Sequence, residues 1–130
     1  MKREVENWLK IARYDLKTAR VAYKNKLYLK VIENCHSATE KILKGLILSK
    51  KKRKPPKIHN LMILAGEALL GNLKNEIKIA FDELNDIYIL TRYPDDFDSM
   101  IADLSEQRAY KILKKIGGIF KWLEKQIMQI

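Results

Sequence analysis

Arg92 is the residue of this 130-residue chain whose surroundings best suit it for chemistry. It lies in the stretch ILTRYPDDFDSM (89–100), where an apolar periodic segment stops at a proline and three aspartates follow. A guanidinium group can pair with two phosphate oxygens at once, so Arg92 is a candidate for binding an anionic ligand, with Tyr93 and Asp95 beside it. The segment could instead be an ordinary turn in which Arg92 is tied to Glu40 or to a nearby aspartate.

His36, Glu40 and Lys44 form a second candidate group, spaced four residues apart along the second predicted helix. This spacing places them on one flank, where His36–Glu40 and Glu40–Lys44 pairs would stabilise the helix. Alternatively, a buried Glu40 that faces Arg92 would create a polar site inside the protein. The sequence leaves both interpretations open.

Other familiar enzyme sites are excluded by residue counts. Two histidines and one cysteine cannot supply four zinc ligands, and the five glycines are too scattered for a phosphate-binding loop. Cys35 and His36 are neighbours on a helix and point about 100° apart, which is a poor arrangement for a nucleophile and its base. We therefore expect Cys35 to be a small core residue, and we expect no metal site and no cofactor.

The strong positive charge favours polyanionic or acidic partners. The chain has 26 basic and 16 acidic residues, a net charge of +10. Five consecutive basic residues precede a Pro-Pro pair that excludes helix, and this exposed loop could contact nucleic-acid phosphates. These residues are Lys50, Lys51, Lys52, Arg53 and Lys54. The loop lacks the aromatic residues that stack on single strands, and both it and the overall charge could simply be a solvated, lysine-rich surface.

Apolar residues recur at steps of three and four, which predicts helices throughout and no strand. Asn60 is the expected N-cap of the third helix, Gly71 is expected to close it, and Asp103 with Glu106 resembles a capping box for the last one. The predicted helices run from Glu4 to Lys24, from Tyr28 to Leu48, from Leu61 to Leu70, from about Leu73 to Pro94, and from the capping box to the C-terminus. The fold class is therefore all-α, a compact antiparallel bundle of four to five helices in a single domain, 1–130.

The same sequence indicates a cytoplasmic protein without membrane segments. Apolar runs extend for only a few residues, far fewer than the roughly 18 needed to span a bilayer. The first residues, MKREVENWLK, contain acids and no apolar core of a signal peptide. A lone cysteine is compatible with a reducing compartment.

Five segments, taken together, resemble the HEPN domain family. In the second helix, CHSATEKILKGLIL is similar to the family's core motif, and WLKIARYDLKTA resembles its opening helix. PKIHNL, YILTRYPD and SEQRAYKILKKIGGIFKWL resemble the start of its third helix, its arginine-containing turn and its closing helix, in the correct order. The resemblance covers nearly the whole chain. It implies a compact bundle of four or five helices that is commonly dimeric.

The resemblance also implies two kinds of function. Many family members act with a minimal nucleotidyltransferase in toxin–antitoxin pairs, and others are metal-independent ribonucleases. In the ribonucleases an arginine stabilises phosphorane charge and a histidine about four to six residues later moves a proton. Arg92 occupies the position of that arginine, but no histidine occurs from Tyr93 to Ser99. Arg53 and His59 have the required spacing but flank the Pro-Pro pair in another loop, so we regard that match as chance.

These observations predict a HEPN protein that binds a nucleotide or RNA without cleaving it and acts with a nucleotidyltransferase partner. One alternative is a ribonuclease toxin in which His36 or His59 supplies the missing base, and another is a purely structural dimerisation module. We also predict a homodimer, because the last helix has apolar residues on more than one face. Those residues are Ile116, Ile119, Phe120, Trp122, Leu123 and Ile127.

Overall fold

The computed structural model describes residues 2–93 and 95–129, and the regular structure in these ranges is helical, with no strand. It comprises α1 (Arg3–Lys24), α2 (Tyr28–Lys51), α3 (Leu61–Glu67), α4 (Asn75–Arg92), α5 (Phe97–Asp103) and α6 (Glu106–Met128). The predicted all-α helical bundle is therefore confirmed. In the described ranges, none of the helices has both the length and the apolar character that crossing a membrane requires.

α2 is the central helix and contacts α1, α3, α4 and α6. Gly45 allows two of these neighbours to approach it closely. A Cβ atom at this position would lie 3.1 Å from Trp8 Cβ on α1 and 3.1 Å from Ile127 Cδ1 on α6. A larger side chain would push the flanking helices away, so this glycine belongs to the packing of the core.

The outer helices bury the apolar stripes that the sequence predicts. On α1 the buried residues are Val5, Leu9, Ala12, Leu16, Ala19 and Ala22. On α6 they are Ala109, Ile112, Ile116, Ile119, Phe120, Leu123 and Ile127. Each fully buried aliphatic or aromatic side chain stabilises the fold by about 1.5–3 kcal/mol.

The apolar residues of α6 do not form a surface for a homodimer, because they pack inside the chain. Five of the six apolar residues that seemed surplus are buried within the same chain, and Trp122 is half-buried against the core. One wide stripe of α6 contacts α1, α2 and α4 together, so more than one apolar face is used internally. The dimer itself remains a prediction, but it needs another surface.

Helix ends differ from the predicted ones where the backbone turns left-handed. α2 extends three residues beyond Leu48 and ends at Lys51, and its C-cap Lys52 has a φ of 55°. Asn60 is the N-cap of α3 as predicted, since its side chain accepts hydrogen bonds from Met62 N and Ile63 N. α3 nevertheless ends at Glu67, because Leu69 already has a φ of 56°, and Gly71, with a φ of 73°, lies beyond the helix end.

α5 was not predicted, and with it residues 2–93 and 95–129 contain six helices instead of four or five. It begins in the acidic turn, where the Asp96 side chain accepts hydrogen bonds from Ser99 N (3.1 Å) and Ser99 Oγ (2.7 Å). Asp103 ends α5, and Ser105 is the N-cap of α6 through a hydrogen bond from Arg108 N, so the capping-box assignment was wrong. The predicted helix stop at Pro94 lies outside the described residues.

Candidate functional site

A polar cavity of about 800 Å³ is lined by α2, α4, α5 and the segment before α3. It brings together four of the predicted site residues: His36 and Glu40 from α2, His59 and, at the end of α4, Arg92. Residues separated by more than fifty positions in the sequence therefore share one cavity. Its volume lies within the range of small-ligand sites.

Glu40 is the buried centre of this site. Lys44 Nζ donates a hydrogen bond to Oε2 (2.9 Å), and His59 Nδ1 donates one to Oε1 (2.9 Å). Burial by itself would raise the pKa of Glu40, but these two hydrogen bonds and the charge of Lys44 hold it below its ordinary value. The predicted helix pair with Lys44 and the predicted buried carboxylate are thus both present, and the carboxylate is ionised at neutral pH.

His36 lies beside Glu40 and is almost completely buried, with Nδ1 3.9 Å from Glu40 Oε1. Nε2 has no hydrogen-bond partner in the described part of the chain, although the His59 backbone and the Asn85 side chain are nearby. Burial lowers the pKa of His36 to about 4, and the attraction of Glu40 offsets only part of this effect. The imidazole is therefore neutral at pH 7.

Tyr88 joins the two sides of the cavity. Its ring stacks on His36 with centroids 4.3 Å apart, lies 5.4 Å from the His59 ring, and has the Arg92 guanidinium carbon 4.7 Å from its centre. The cation–π contact holds Arg92 in place without neutralising its charge. Sequence reasoning included Tyr88 in the YILTRYPD segment but did not name it as a site residue. Its position one helical turn before Arg92 was the signal that could have identified it.

Arg92 has no carboxylate within salt-bridge distance among residues 2–93 and 95–129. The other two cations that line the cavity do have partners. Lys30 pairs with Glu33 (3.4 Å) and Lys41 with Asp15 (3.1 Å). The charge of Arg92 is therefore the one most available to an anionic ligand.

Asn85 holds His59 in position, a role that sequence reasoning missed. Its Oδ1 accepts a hydrogen bond from Leu61 N (3.0 Å), and its Nδ2 donates one to Asn60 Oδ1 (3.3 Å). These bonds attach the start of α3 to α4, immediately after His59. The His59 side chain remains 54% exposed, so it can meet both Glu40 and a ligand.

Tyr93, Asp95 and Lys44 are not part of the cavity wall. Tyr93 is 73% exposed and Asp95 is also exposed. Lys44 is buried behind Glu40 and acts as its partner. Of the seven predicted ligand-binding residues, four therefore line one site and one supports it.

The five residues predicted to contact nucleic acid differ in their contacts within the protein. Lys50 Nζ donates to Ala68 O (2.8 Å) and Leu69 O (3.5 Å), where a cation stabilises the free carbonyls after α3. Lys51 and Arg53 pair with Glu67, at 2.8 and 3.5 Å. Lys52 and Lys54 are exposed. Arg53 and His59, which matched a nuclease spacing, thus contact different partners.

Among the described residues, neither Cys35 nor a group of metal-binding side chains forms a further reactive site. Cys35 is fully buried, and burial raises its pKa to about 12, so it is not a thiolate nucleophile. Within the described ranges, no three His, Cys, Asp or Glu side chains are grouped as a metal site requires.

Comparison with known proteins agrees with the resemblance. The HEPN domain family model matches residues 5–126. The crystal structure of ST0689, an archaeal HEPN homologue, is similar with a TM-score of 0.76 and 29% identity, covering 98% of this chain and 99% of that chain. TT1696 from Thermus thermophilus shares the fold, with a TM-score of 0.80, 22% identity, and coverage of 96% and 99%. No curated protein matches the sequence.

Proposed function

The chain belongs to the HEPN domain family, and from this premise we propose that it binds a nucleotide or a segment of RNA in the Arg92 cavity without cleaving it. The observation that carries the proposal is the state of Arg92. Its guanidinium is held over Tyr88 at a polar cavity, whereas the neighbouring lysines are already paired with carboxylates. A phosphate group is the natural ligand for such an arginine.

The residues around Arg92 support binding more than catalysis. No histidine follows Arg92 in the next seven positions, and His36 is neutral, buried and a weak base with a pKa of about 4. A residue that moves protons near neutral pH needs a pKa close to that pH. We therefore expect single-stranded RNA to remain intact for hours at neutral pH, with or without magnesium.

Isothermal titration with ADP and with triuridylate tests the binding proposal. Arg92→Ala should weaken binding by roughly 1–3 kcal/mol if the guanidinium pairs with phosphate. Arg13→Ala is the matched control, because it removes one arginine charge from a surface pair with Glu124. Equal affinity of the Arg92→Ala variant and the wild type, or no binding of either ligand, would overturn the proposal.

A ribonuclease remains the second candidate, and the Glu40–His59 pair favours it. His59 is half-exposed, oriented by a buried carboxylate, and lines the same cavity as Arg92. In such an enzyme His59 would accept the proton of a ribose 2′-hydroxyl as its oxygen attacks phosphorus, and the 5′-oxygen would leave with a proton from water. Cleavage by the wild type that is lost in both His59→Ala and Arg92→Ala would establish this function.

We also propose that the protein forms a homodimer through the region from Ile89 to Ile101. Exposed apolar side chains are concentrated there: Ile89, Leu90, Tyr93, Phe97 and Ile101. Exposed apolar groups of this kind commonly mark a protein interface. If two copies met there, their Arg92 cavities would lie near each other.

The proposed partner protein is a minimal nucleotidyltransferase, as the family resemblance implies. The net charge of +10 supports an acidic surface on that partner. Co-purification with the product of the adjacent gene tests this proposal, and its absence would favour action alone. A cytoplasmic location belongs to the same proposal.

A further inference from the structure

A second groove lies between α1 and α6 and is lined almost entirely by cations, tyrosines and glycines. Its volume is about 530 Å³, and Arg20, Lys24, Lys114 and Lys121 contribute its charges. No carboxylate is among the described residues that line it. A groove with several cations and no acid in its wall attracts a polyanion more strongly than a mixed surface does.

Tyrosine rings form a row at one end of this groove. Tyr23 lies 5.8 Å from Tyr110 and 6.0 Å from Tyr28, measured between ring centroids. Tyr110 is 47% exposed, with Lys114 Nζ over its ring at 5.6 Å and within 3.4 Å of its hydroxyl oxygen, so the rest of the ring is open to a ligand. Tyr23 and Tyr28 are partly buried against the core. Basic residues alternating with accessible aromatic rings are the features that bind unpaired nucleotides, and the Lys50–Lys54 loop lacks them.

The row of tyrosines leads toward the Arg92 cavity. Tyr28 lines a further cavity of about 440 Å³ together with Lys26, Lys30 and Phe97. Lys30 and Phe97 also line the Arg92 cavity, so these two cavities are contiguous. Acidic groups occur along this path, since Glu33 borders both cavities and Glu106 lies beside Tyr23.

Gly117 and Gly118 make the base of the groove open. A Cβ atom at Gly118 would meet nothing within 4 Å, and one at Gly117 would meet only Arg20 Nη2 at 4.0 Å. Internal packing therefore does not require glycine here, although each glycine inside a helix costs about 1 kcal/mol relative to alanine. An absent side chain does allow an external backbone to lie close to α6.

We propose that the α1–α6 groove binds single-stranded nucleic acid, with phosphates on Arg20, Lys24, Lys114 and Lys121 and bases on the tyrosines. A strand is favoured over a duplex because the tyrosines can stack only on bases that are not already paired and stacked. The inference extends the proposed function, since the strand would continue past Tyr28 to the Arg92 cavity. Binding in the groove does not depend on that continuation.

Fluorescence anisotropy with labelled oligouridylate, about twelve nucleotides long, tests the role of the cations. The variant Lys114→Ala/Lys121→Ala should bind it about tenfold more weakly. It should also lower the slope of log affinity against log salt by about 1.4, from about 0.7 per cation. Lys10→Ala/Lys78→Ala removes the same charge from positions outside the groove and should match the wild type. Equal losses in both double variants would overturn the proposal, because net charge alone would then explain binding.

Substitutions of Tyr110 test the contribution of base stacking. Tyr110→Ala should weaken binding of the same oligonucleotide about tenfold, whereas Tyr110→Phe should retain it because the ring is kept. Stronger binding of oligouridylate than oligothymidylate would assign the groove to RNA, and the reverse order would assign it to DNA. Tighter binding of a duplex or of polyglutamate would overturn the proposal.

The Arg92 proposal and the groove proposal can be disproved separately. If Arg92→Ala has no effect on ADP or triuridylate but the groove variants weaken the long oligonucleotide, the proposed function fails and the groove stands. If the groove variants bind the long oligonucleotide as the wild type does, the groove proposal fails whatever Arg92 does.

Discussion

The two walls of the Arg92 cavity differ in how firmly the fold holds them. The α2 wall contains the buried polar groups of the site, His36 and Glu40, with Glu40 bonded to Lys44 and His59. The opposite wall is the end of α4 and α5, and α5 contains no buried residue. The α2 wall is part of the core, whereas the α5 wall rests on the surface.

Because of this difference, we expect the α2 wall to matter mainly for stability and the α5 wall mainly for recognition. A buried charge that loses its partner destabilises the protein strongly, so the α2 wall tolerates little change. Substitutions on an exposed helix usually change stability little. We infer that the α2 wall fixes the position of the polar groups, while the α5 wall can vary and so determine which ligand or partner is accepted.

Glu40→Ala should have the largest effect, because it leaves Lys44 buried without its carboxylate. Removing one partner of a buried pair costs about 3–5 kcal/mol of unfolding free energy. Urea denaturation followed by circular dichroism measures this loss. The control is Glu33→Ala, which removes an acid from the same helix and cavity but from an exposed pair with Lys30. It should cost less than about 1 kcal/mol. Similar losses in the two variants would mean that the buried Glu40 pair stabilises the fold no more than an exposed pair on the same helix.

Lowering the pH should have the second-largest effect on the unfolding free energy, because His36 in the α2 wall becomes protonated. Its pKa falls from 6.5 to about 4 on folding, so protons bind the unfolded chain more readily. The contribution of neutral His36 to the unfolding free energy is therefore fully present above pH 6.5 and is lost as the pH falls toward 4. The loss is about 3 kcal/mol, at roughly 1.4 kcal/mol per pH unit. Glu40, whose pKa is also lowered, acts in the same direction below its ordinary value of 4.5.

His36→Gln isolates this contribution, because glutamine stays neutral at all pH values. The variant should lose most of the pH dependence between 6.5 and 4.5 when urea midpoints are compared across that window. Glu40 remains in it, so any residual slope belongs to Glu40 and to the exposed carboxylates with a lowered pKa, Glu67 and Asp96. An unchanged slope would mean that His36 is not held neutral by burial.

The α2 wall was more accessible to sequence reasoning than the α5 wall. The stripes on α1, α2 and α6 predicted which faces are buried, because burial and helical period together produce a readable pattern. α5 has no buried residue and therefore no such pattern. Its start depends on one side chain, Asp96, which caps the helix through Ser99. A short helix held by a local hydrogen bond is easily taken for a turn.

The candidate site was predictable in part of its membership but not in its contacts. His36 and Glu40 share a helix flank, yet their approach to His59 and Tyr88 depends on how α2, α3 and α4 pack. Lys50 was predicted to contact nucleic acid. Its Nζ instead donates a hydrogen bond to a backbone carbonyl after α3, a group distant from Lys50 in the sequence. Local spacing predicts neighbours on one helix, and tertiary packing decides which charges remain available.

Tyr88 lies where the two walls meet, so its replacement should have an intermediate effect. Tyr88→Ala removes stacking on His36 and the cation–π contact with Arg92, together about 1–2 kcal/mol of unfolding free energy. Tyr88→Phe keeps the ring and should be nearly neutral. Urea denaturation of both variants measures the difference. A large loss in Tyr88→Phe would show that the hydroxyl group, not the ring, joins the walls.

Changes in α5 should have the smallest effect on stability and still alter assembly. Phe97 is 57% exposed and lies in the proposed dimer region. Phe97→Ser should therefore change the unfolding free energy by less than about 0.5 kcal/mol. Both proteins are compared at a concentration where light scattering shows monomers, because dimerisation adds apparent stability.

At higher concentration, light scattering should show a dimer for the wild type and a monomer for Phe97→Ser. Ile79→Ser is the matched control, since Ile79 is equally apolar and exposed but lies on α4 away from the cavity. It should remain a dimer. A dimer that survives Phe97→Ser but not Ile79→Ser would move the interface to the outer face of α4. A stability loss above about 1 kcal/mol in Phe97→Ser monomers would mean that α5 is held as firmly as α2, and the contrast between the two walls would disappear.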